Sequence, residues 1–253
     1  MLDKYKLPLE PVPKNIALAL SRGVQGGEFP AATSANEVLD NWEAMKNKAL
    51  RSASGKVLIT CETEMLGVTP EMVDWWFGWH LPYTERYKLW HPEAHQKAEV
   101  KEDRTHLPNS RDQYIGNVSY VDEYIGKPLN RLTISFFKPS QFGLGDVYSK
   151  GATAVCGTTA DRILNTEAGH LVHYIDPTGD GSVMKSMFWL GQFKSHIPLI
   201  GGVFSSMTNT PMLRKKIVKD QMVVDLFQHC SEEMNHLAKF LPSLYQDQQE
   251  ENS

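Results

Sequence analysis

The sequence predicts an α+β domain in which an antiparallel sheet grips a long helix near the C-terminal end. Three observations carry that expectation. Strand-like segments, rich in β-branched and aromatic residues, gather in the middle of the chain from Asp112 onward. Two of them flank Asp176-Pro177-Thr178-Gly179-Asp180-Gly181, a hairpin signal. A helical pattern from about Met212 to Phe240 then closes the chain. Strands collected centrally with one long helix after them suit a single α+β domain over 1–253.

The elements follow in order. Residues 1–30 are rich in proline and glycine and predict an extended arm, either loosely ordered or wrapped over the domain or a neighbouring subunit. Ser34 to Ala49 predicts a helix with Ser34 as its cap, because Leu39, Trp42 and Met45 recur at helical spacing. Lys56 to Glu62 predicts a strand with Val57, Ile59 and Cys61 on one face. Thr69-Pro70-Glu71 combines a capping hydroxyl, a first-turn proline and an early carboxylate, so a helix carrying Trp75, Trp76 and Trp79 starts there. Pro82 ends or bends it, and a short helical piece spans Thr84 to Leu89.

Strands are expected over Tyr114–Tyr124, Arg131–Lys138, Ala152–Cys156, Glu167–Ile175 and Ser182–Leu190. Pro242 marks the expected end of the last helix, and residues 246–253 form a polar tail expected to be disordered. No repeat or internal linker divides the core of the pattern, residues 55–240.

Composition excludes several classes. Hydrophobic residues make up 41% and charged residues 22%, and the formal charge is −4 with no basic block, so nothing supports nucleic-acid binding. Cys61, Cys156 and Cys230 are far apart and odd in number, which argues against a disulfide framework or a thiolate zinc site. The N-terminus lacks the apolar run of a signal peptide, and no segment reaches membrane-span length. A cytoplasmic protein without membrane partners is the expectation.

The chemistry concentrates in two places. Trp75-Trp76-Phe77-Gly78-Trp79-His80, with Tyr83, Tyr87 and Trp90-His91-Pro92-Glu93-Ala94-His95, holds four of the six tryptophans and three histidines. Aromatic walls beside imidazoles suit a flat apolar molecule held against a metal or a proton-transfer group. In the last helix, His229 and Glu233 lie four apart on or beside the apolar stripe formed by Met222, Val223, Leu226, Cys230, Met234, Leu237 and Phe240. A carboxylate on a buried face needs a partner, either a metal or a basic group from the sheet.

A third ligand could come from His91, whose backbone the following proline restricts, or from His95. Spacing does not choose between them. Glu123 in a strand, with Asp122 beside it, is the candidate fourth ligand. His170 and His173 sit three apart in one strand, so only one should face a given cavity. No GxSxG elbow, Walker loop or dinucleotide fingerprint is present.

Taken together, the Trp-Trp-Phe-Gly-Trp-His segment, the Tyr-Lys-Leu-Trp-His-Pro-Glu-Ala-His segment and the terminal His-x-x-x-Glu resemble the 2,4-diacetylphloroglucinol hydrolase and phloretin hydrolase family over about residues 55–240. The resemblance implies a helix-grip (Bet v 1-like, START-like) fold and one zinc held by two histidines and two glutamates, with iron or manganese as alternatives. It implies cleavage of the carbon–carbon bond between an acyl group and a phloroglucinol-type ring, or within a β-diketone, with a small aromatic ketone as substrate.

Matched by motif, the ligands would be His91, Glu123, His229 and Glu233, with Tyr83 and His173 as pocket residues acting on the substrate. Where the diacetylphloroglucinol enzyme has two further pocket tyrosines and an asparagine, this chain has Phe77, Phe188 and Ala94. Those changes remove hydrogen-bonding groups and point to a different substrate of the same reaction class. A non-catalytic carrier of flat ligands and a metal-dependent lyase or decarboxylase are the alternatives, and a homodimer is left open.

Overall fold

The computed structural model describes residues 2–198 and 201–251. Its strands are β1 (Gln25–Gly26), β2 (Lys48–Arg51), β3 (Val57–Leu66), β4 (His95–Val100), β5 (Val118–Tyr124), β6 (Leu129–Phe137), β7 (Thr153–Asp161), β8 (Thr166–Thr178) and β9 (Gly181–Ser195). They form one sheet in the order β1-β2-β3-β9-β8-β7-β6-β5-β4, antiparallel throughout except for the two-residue β1–β2 pairing. The helices are α1 (Lys14–Ser21), α2 (Ala35–Asp40), α3 (Trp42–Met45), α4 (Pro70–His80), α5 (Thr84–Trp90), α6 (Ser110–Tyr114), α7 (Gly201–Thr208), α8 (Pro211–Ile217) and α9 (Asp220–Glu251).

Helix α9 packs on one face of the sheet, as the helix-grip expectation required. Its Val223, Phe227, Cys230, Met234, Leu237 and Phe240 share a core with Val57, Ile59 and Cys61 of β3 and with Val155, Leu171 and Phe188 of the inner strands. The opposite face is also covered: Leu58, Cys156, Val172 and Met187 pack under Val38, Trp42 and Phe142. Burial on both faces explains why Val57–Cys61 of β3 and Ser186–Gly191 of β9 are buried without a break, while the rest of each strand alternates. Among the described residues, no helix is long and apolar enough to cross a membrane.

Several boundaries differ from the sequence expectation. The helix expected over 34–49 is the short pair α2 and α3, followed by strand β2. Asn47 adopts a left-handed conformation (φ 53°) that stops the helix, and its side-chain oxygen accepts from the Glu62 N–H at 2.8 Å. Ser34 occupies the cap position without a side-chain cap bond, whereas Thr69 does cap α4, accepting from the Met72 N–H at 3.3 Å.

The long terminal pattern splits into α8 and α9 at Val218, whose carbonyl accepts from Arg51 at 2.7 Å while Arg51 also pairs with Asp220. Pro242 does not end α9. Tertiary packing outweighs its missing donor: Leu241 and Leu244 are buried, Tyr245 meets Trp75 edge-on at 5.2 Å, and Trp79 donates to Gln248 at 3.1 Å. The tail expected to be disordered is therefore helical to Glu251, and 252–253 lie outside the described residues. The N-terminal arm wraps over the domain, with Tyr5 against Phe240 and Ile16 and Ala19 of α1 buried in the same core.

Helix α4 carries its tryptophans onto α9, and His80 is stacked on Trp76 at 4.6 Å in full burial. Burial pushes the His80 imidazole down to about 3. The unfolded chain protonates this group near 6.5 and the folded chain does not, so acid favours the unfolded state between those values. His80→Gln is expected to remove about 1.4 kcal/mol per pH unit from the slope of stability below pH 6.5. Urea unfolding of both proteins at pH 7, 6 and 5 checks this, and parallel slopes would contradict it.

Candidate active site

The site forms where α5, β4, β5 and α9 meet. His229 and Glu233 stand one turn apart on α9, both buried, with Nε2 and Oε2 3.6 Å apart. His95 opens β4, and its partner across the antiparallel ladder is Glu123 of β5. Cross-strand partners hold their Cβ atoms about 5 Å apart, so this pairing brings an imidazole and a carboxylate together without long loops. His95 Nε2 lies 3.7 Å from Glu123 and 3.5 Å from Glu233. His95, His229 and Glu233 each direct a ligand atom to one place, all within 4.8 Å of one another, and so could hold a metal ion.

Neighbouring groups fix these side chains. His95 Nδ1–H donates to the Tyr87 carbonyl at 3.0 Å, which leaves the Nε2 lone pair free, buried and without a hydrogen-bond partner. The Tyr87 ring stacks on His95 at 3.8 Å, and its hydroxyl donates to Glu123. That is the support a metal ligand normally receives from its surroundings.

Burial pushes the His95 and His229 imidazoles down, His229 to about 3, so both are neutral donors. Burial also pushes Glu233 well above the usual carboxylate range, helped by the nearby Cys230, Glu123 and Glu232. Glu123 is raised by burial too, against the lowering bond from Tyr87. Two buried carboxylates and two neutral imidazoles are costly alone and complementary to a divalent cation.

The structure does not bring all the expected residues together. His229 and Glu233 converge with His95; Glu123 lies outside that group, 3.7 Å from His95 Nε2, and Asp122 points away into an ion pair with Arg162. His91 lies beside them, stacked on His229 at 4.9 Å, but outside the convergent group. Both of its nitrogens are engaged: Nδ1 accepts from the Ala94 N–H at 3.1 Å and Nε2–H donates to Glu232 at 3.2 Å. Burial alone would raise Glu232, but the bonds from His91 and Gln228 hold it below the usual carboxylate range. The group that converges with His229 and Glu233 contains His95 and not His91.

Tyr83 is not among the residues that line the cavity. The residue is 43% exposed, its ring lies under Arg86, and its hydroxyl reaches Asp103 at 3.4 Å. Tyr87 stands at the cavity instead. Ala94 is buried in the turn after His91 and does not line the cavity.

The cavity itself measures about 300 Å³. Phe77, Trp90, Phe136, His173 and Phe188 line it together with Glu123, His229 and Glu233. Phe77 touches Trp90 at 5.5 Å and His173 at 6.2 Å between ring centres, and His173 meets Phe188 edge-on at 5.6 Å. His173 bonds through Nδ1 to Ser186, its cross-strand partner, at 2.8 Å, and burial pushes it down to about 3. His170 meets the ring of Phe142 edge-on at 6.1 Å and, like His173, is among the residues lining the cavity, so the three-residue spacing did not separate the two.

Known proteins resemble this chain. Residues 32–246 match the model of the DAPG hydrolase PhiG domain. The 2,4-diacetylphloroglucinol hydrolase of Pseudomonas protegens is 29% identical over 189 residues, covering 72% of this chain and 61% of that protein. The chain thus spans less than two thirds of that relative's length. The phloretin hydrolase of Eubacterium ramulus is 28% identical over 206 residues, covering 79% of this chain and 71% of that one. Among solved structures, norcoclaurine synthase of Thalictrum flavum is 16% identical over 64% of this chain and 96% of its own, with a TM-score of 0.34. With the family match extending over most of its length, the chain belongs to the DAPG hydrolase PhiG domain family.

Proposed function

We propose that this chain is a metal-dependent hydrolase that breaks the carbon–carbon bond between an acyl group and a phloroglucinol-like ring, or within a β-diketone, and releases a carboxylic acid. The observation that carries the reading is the free, buried Nε2 of His95, set among Glu123, His229 and Glu233 at the wall of an aromatic cavity. The names of the relatives support the reaction class. His95, Glu123, His229 and Glu233 would hold one zinc, with iron or manganese compatible with the same donors.

A bound divalent ion there supplies Lewis-acid polarisation of a carbonyl and eases deprotonation of water. The protein does the rest by placement. Tyr87 keeps Glu123 turned inward, and its carbonyl fixes the tautomer of His95. Phe77, Phe136 and Phe188 sandwich a flat ring and exclude bulk water. His173, neutral and tethered to Ser186, presents its remaining nitrogen to a ring hydroxyl and so orients the phenol. In the overall reaction water adds oxygen to the acyl carbon, the bonding pair passes to the ring carbon, and that carbon takes up a proton. Ring oxygens beside it delocalise the charge.

The test is chelation followed by reloading. Metal-stripped protein is expected to be inactive toward acylphloroglucinols, and zinc, ferrous iron or manganous ion at one equivalent per chain should restore acid release. Turnover that survives stripping, or purified protein that takes up no metal, would overturn the proposal.

A further inference from the structure

The cavity has two parts of different chemistry. Near the convergent ligands it is a chamber of rings, formed by Phe77, Trp90, Phe136 and Phe188. Away from them it becomes a corridor toward solvent. Leu164, Ile217 and Met222 line it and are 56%, 44% and 39% exposed, so they mark the mouth. Helix α9 sets its length. Met222, Leu226, His229 and Glu233 all line the cavity and, at intervals of four, three and four, form one stripe along the helix. From Met222 to His229 is seven residues, about 10 Å at the helical rise.

The corridor offers a ligand little polarity. Four of its polar side chains are engaged with nearby backbone: Thr166 donates to the Leu164 carbonyl at 3.0 Å and Thr208 to the Phe204 carbonyl at 2.9 Å. Asp161 accepts from the Ile163 and Leu164 N–H groups at 2.8 and 2.7 Å, and Asn130 donates to the Pro128 carbonyl at 3.0 Å. An acetyl group held at the ligands would leave the corridor unfilled.

We propose, building on the hydrolase reading, that the acyl group removed is a medium-length aliphatic chain. The ring lies in the aromatic chamber, the carbonyl faces His95, His229 and Glu233, and the chain runs outward past Leu226 to Met222. The corridor accommodates roughly eight methylenes at ordinary carbon–carbon spacing.

The test uses the metal-loaded full chain with acetyl-, hexanoyl- and octanoyl-phloroglucinol. Each methylene moved from water onto an apolar wall is worth up to about fourfold. The octanoyl substrate is therefore expected to exceed the acetyl one at least 30-fold in kcat/KM, mainly through KM. Calorimetric binding of hexylresorcinol and resorcinol, which carry no acyl carbonyl, reads the corridor without turnover, and hexylresorcinol should bind at least 10-fold tighter. Leu226→Trp is expected to cut both preferences at least 10-fold. An acetyl preference, with resorcinols binding equally, would overturn the proposal. Tight hexylresorcinol binding with no acylphloroglucinol cleaved would instead sink the hydrolase reading and leave the corridor standing.

Discussion

Glu233→Gln is expected to weaken metal binding at least 100-fold and to reduce acid release by about a thousandfold, while the metal-free variant folds as well as the parent. The substitution keeps shape and removes one of two buried negative charges, so the cation loses both a ligand and half of its compensation. The stability half of the result distinguishes a ligand from a structural carboxylate. Burial and neighbouring acids hold Glu233 up, so the unfolded chain ionises it at lower pH than the folded one does. Metal-free parent protein therefore loses stability as pH rises from about 4.5 through the folded value, and glutamine removes that loss. Isothermal titration with zinc and urea unfolding at pH 8 read the two effects separately. A variant that is destabilised but still binds metal would assign Glu233 to the core.

The second large effect is a contrast. His95→Ala should lose metal at least 100-fold, whereas His91→Ala should change affinity by no more than about tenfold. The reason is hydrogen-bond accounting: His95 has an uncommitted lone pair, while both nitrogens of His91 are committed to Ala94 and Glu232. Removing His91 disturbs Glu232 and the stacking on His229, which acts on the site only indirectly. The opposite ranking would restore His91 as the ligand.

That contrast also shows where sequence reasoning reached its limit. Tyr83 and His91 are eight apart, and so are Tyr87 and His95, so one motif fits two registers displaced by four residues. Four residues is close to one helical turn, but α5 ends at Trp90, before either histidine. Only the later pair meets β5. The strand that carries His95 was hidden for a related reason. A bulge between His95 and Lys97 puts His95 and Ala98 inward, three apart, which matches neither strand alternation nor a long helix.

Glu123 and Asp122 could not be told apart from the sequence alone; in the structure strand alternation parts them, one inward and one to Arg162. Another feature was legible because its periodicity is unbroken. The α9 stripe placed His229 and Glu233 together through local geometry alone. The extension of α9 past Pro242 was illegible because it depends on Trp75, Trp79 and Tyr5, which are distant in sequence.

The most direct test of the central claim is turnover of an acylphloroglucinol by metal-loaded protein in ¹⁸O-labelled water, with the released acid weighed by mass spectrometry. Hydrolytic cleavage predicts one labelled oxygen in each carboxylic acid and one deacylated ring for each acid formed. Recovery of intact ligand, or of carbon dioxide in place of the acid, would contradict it.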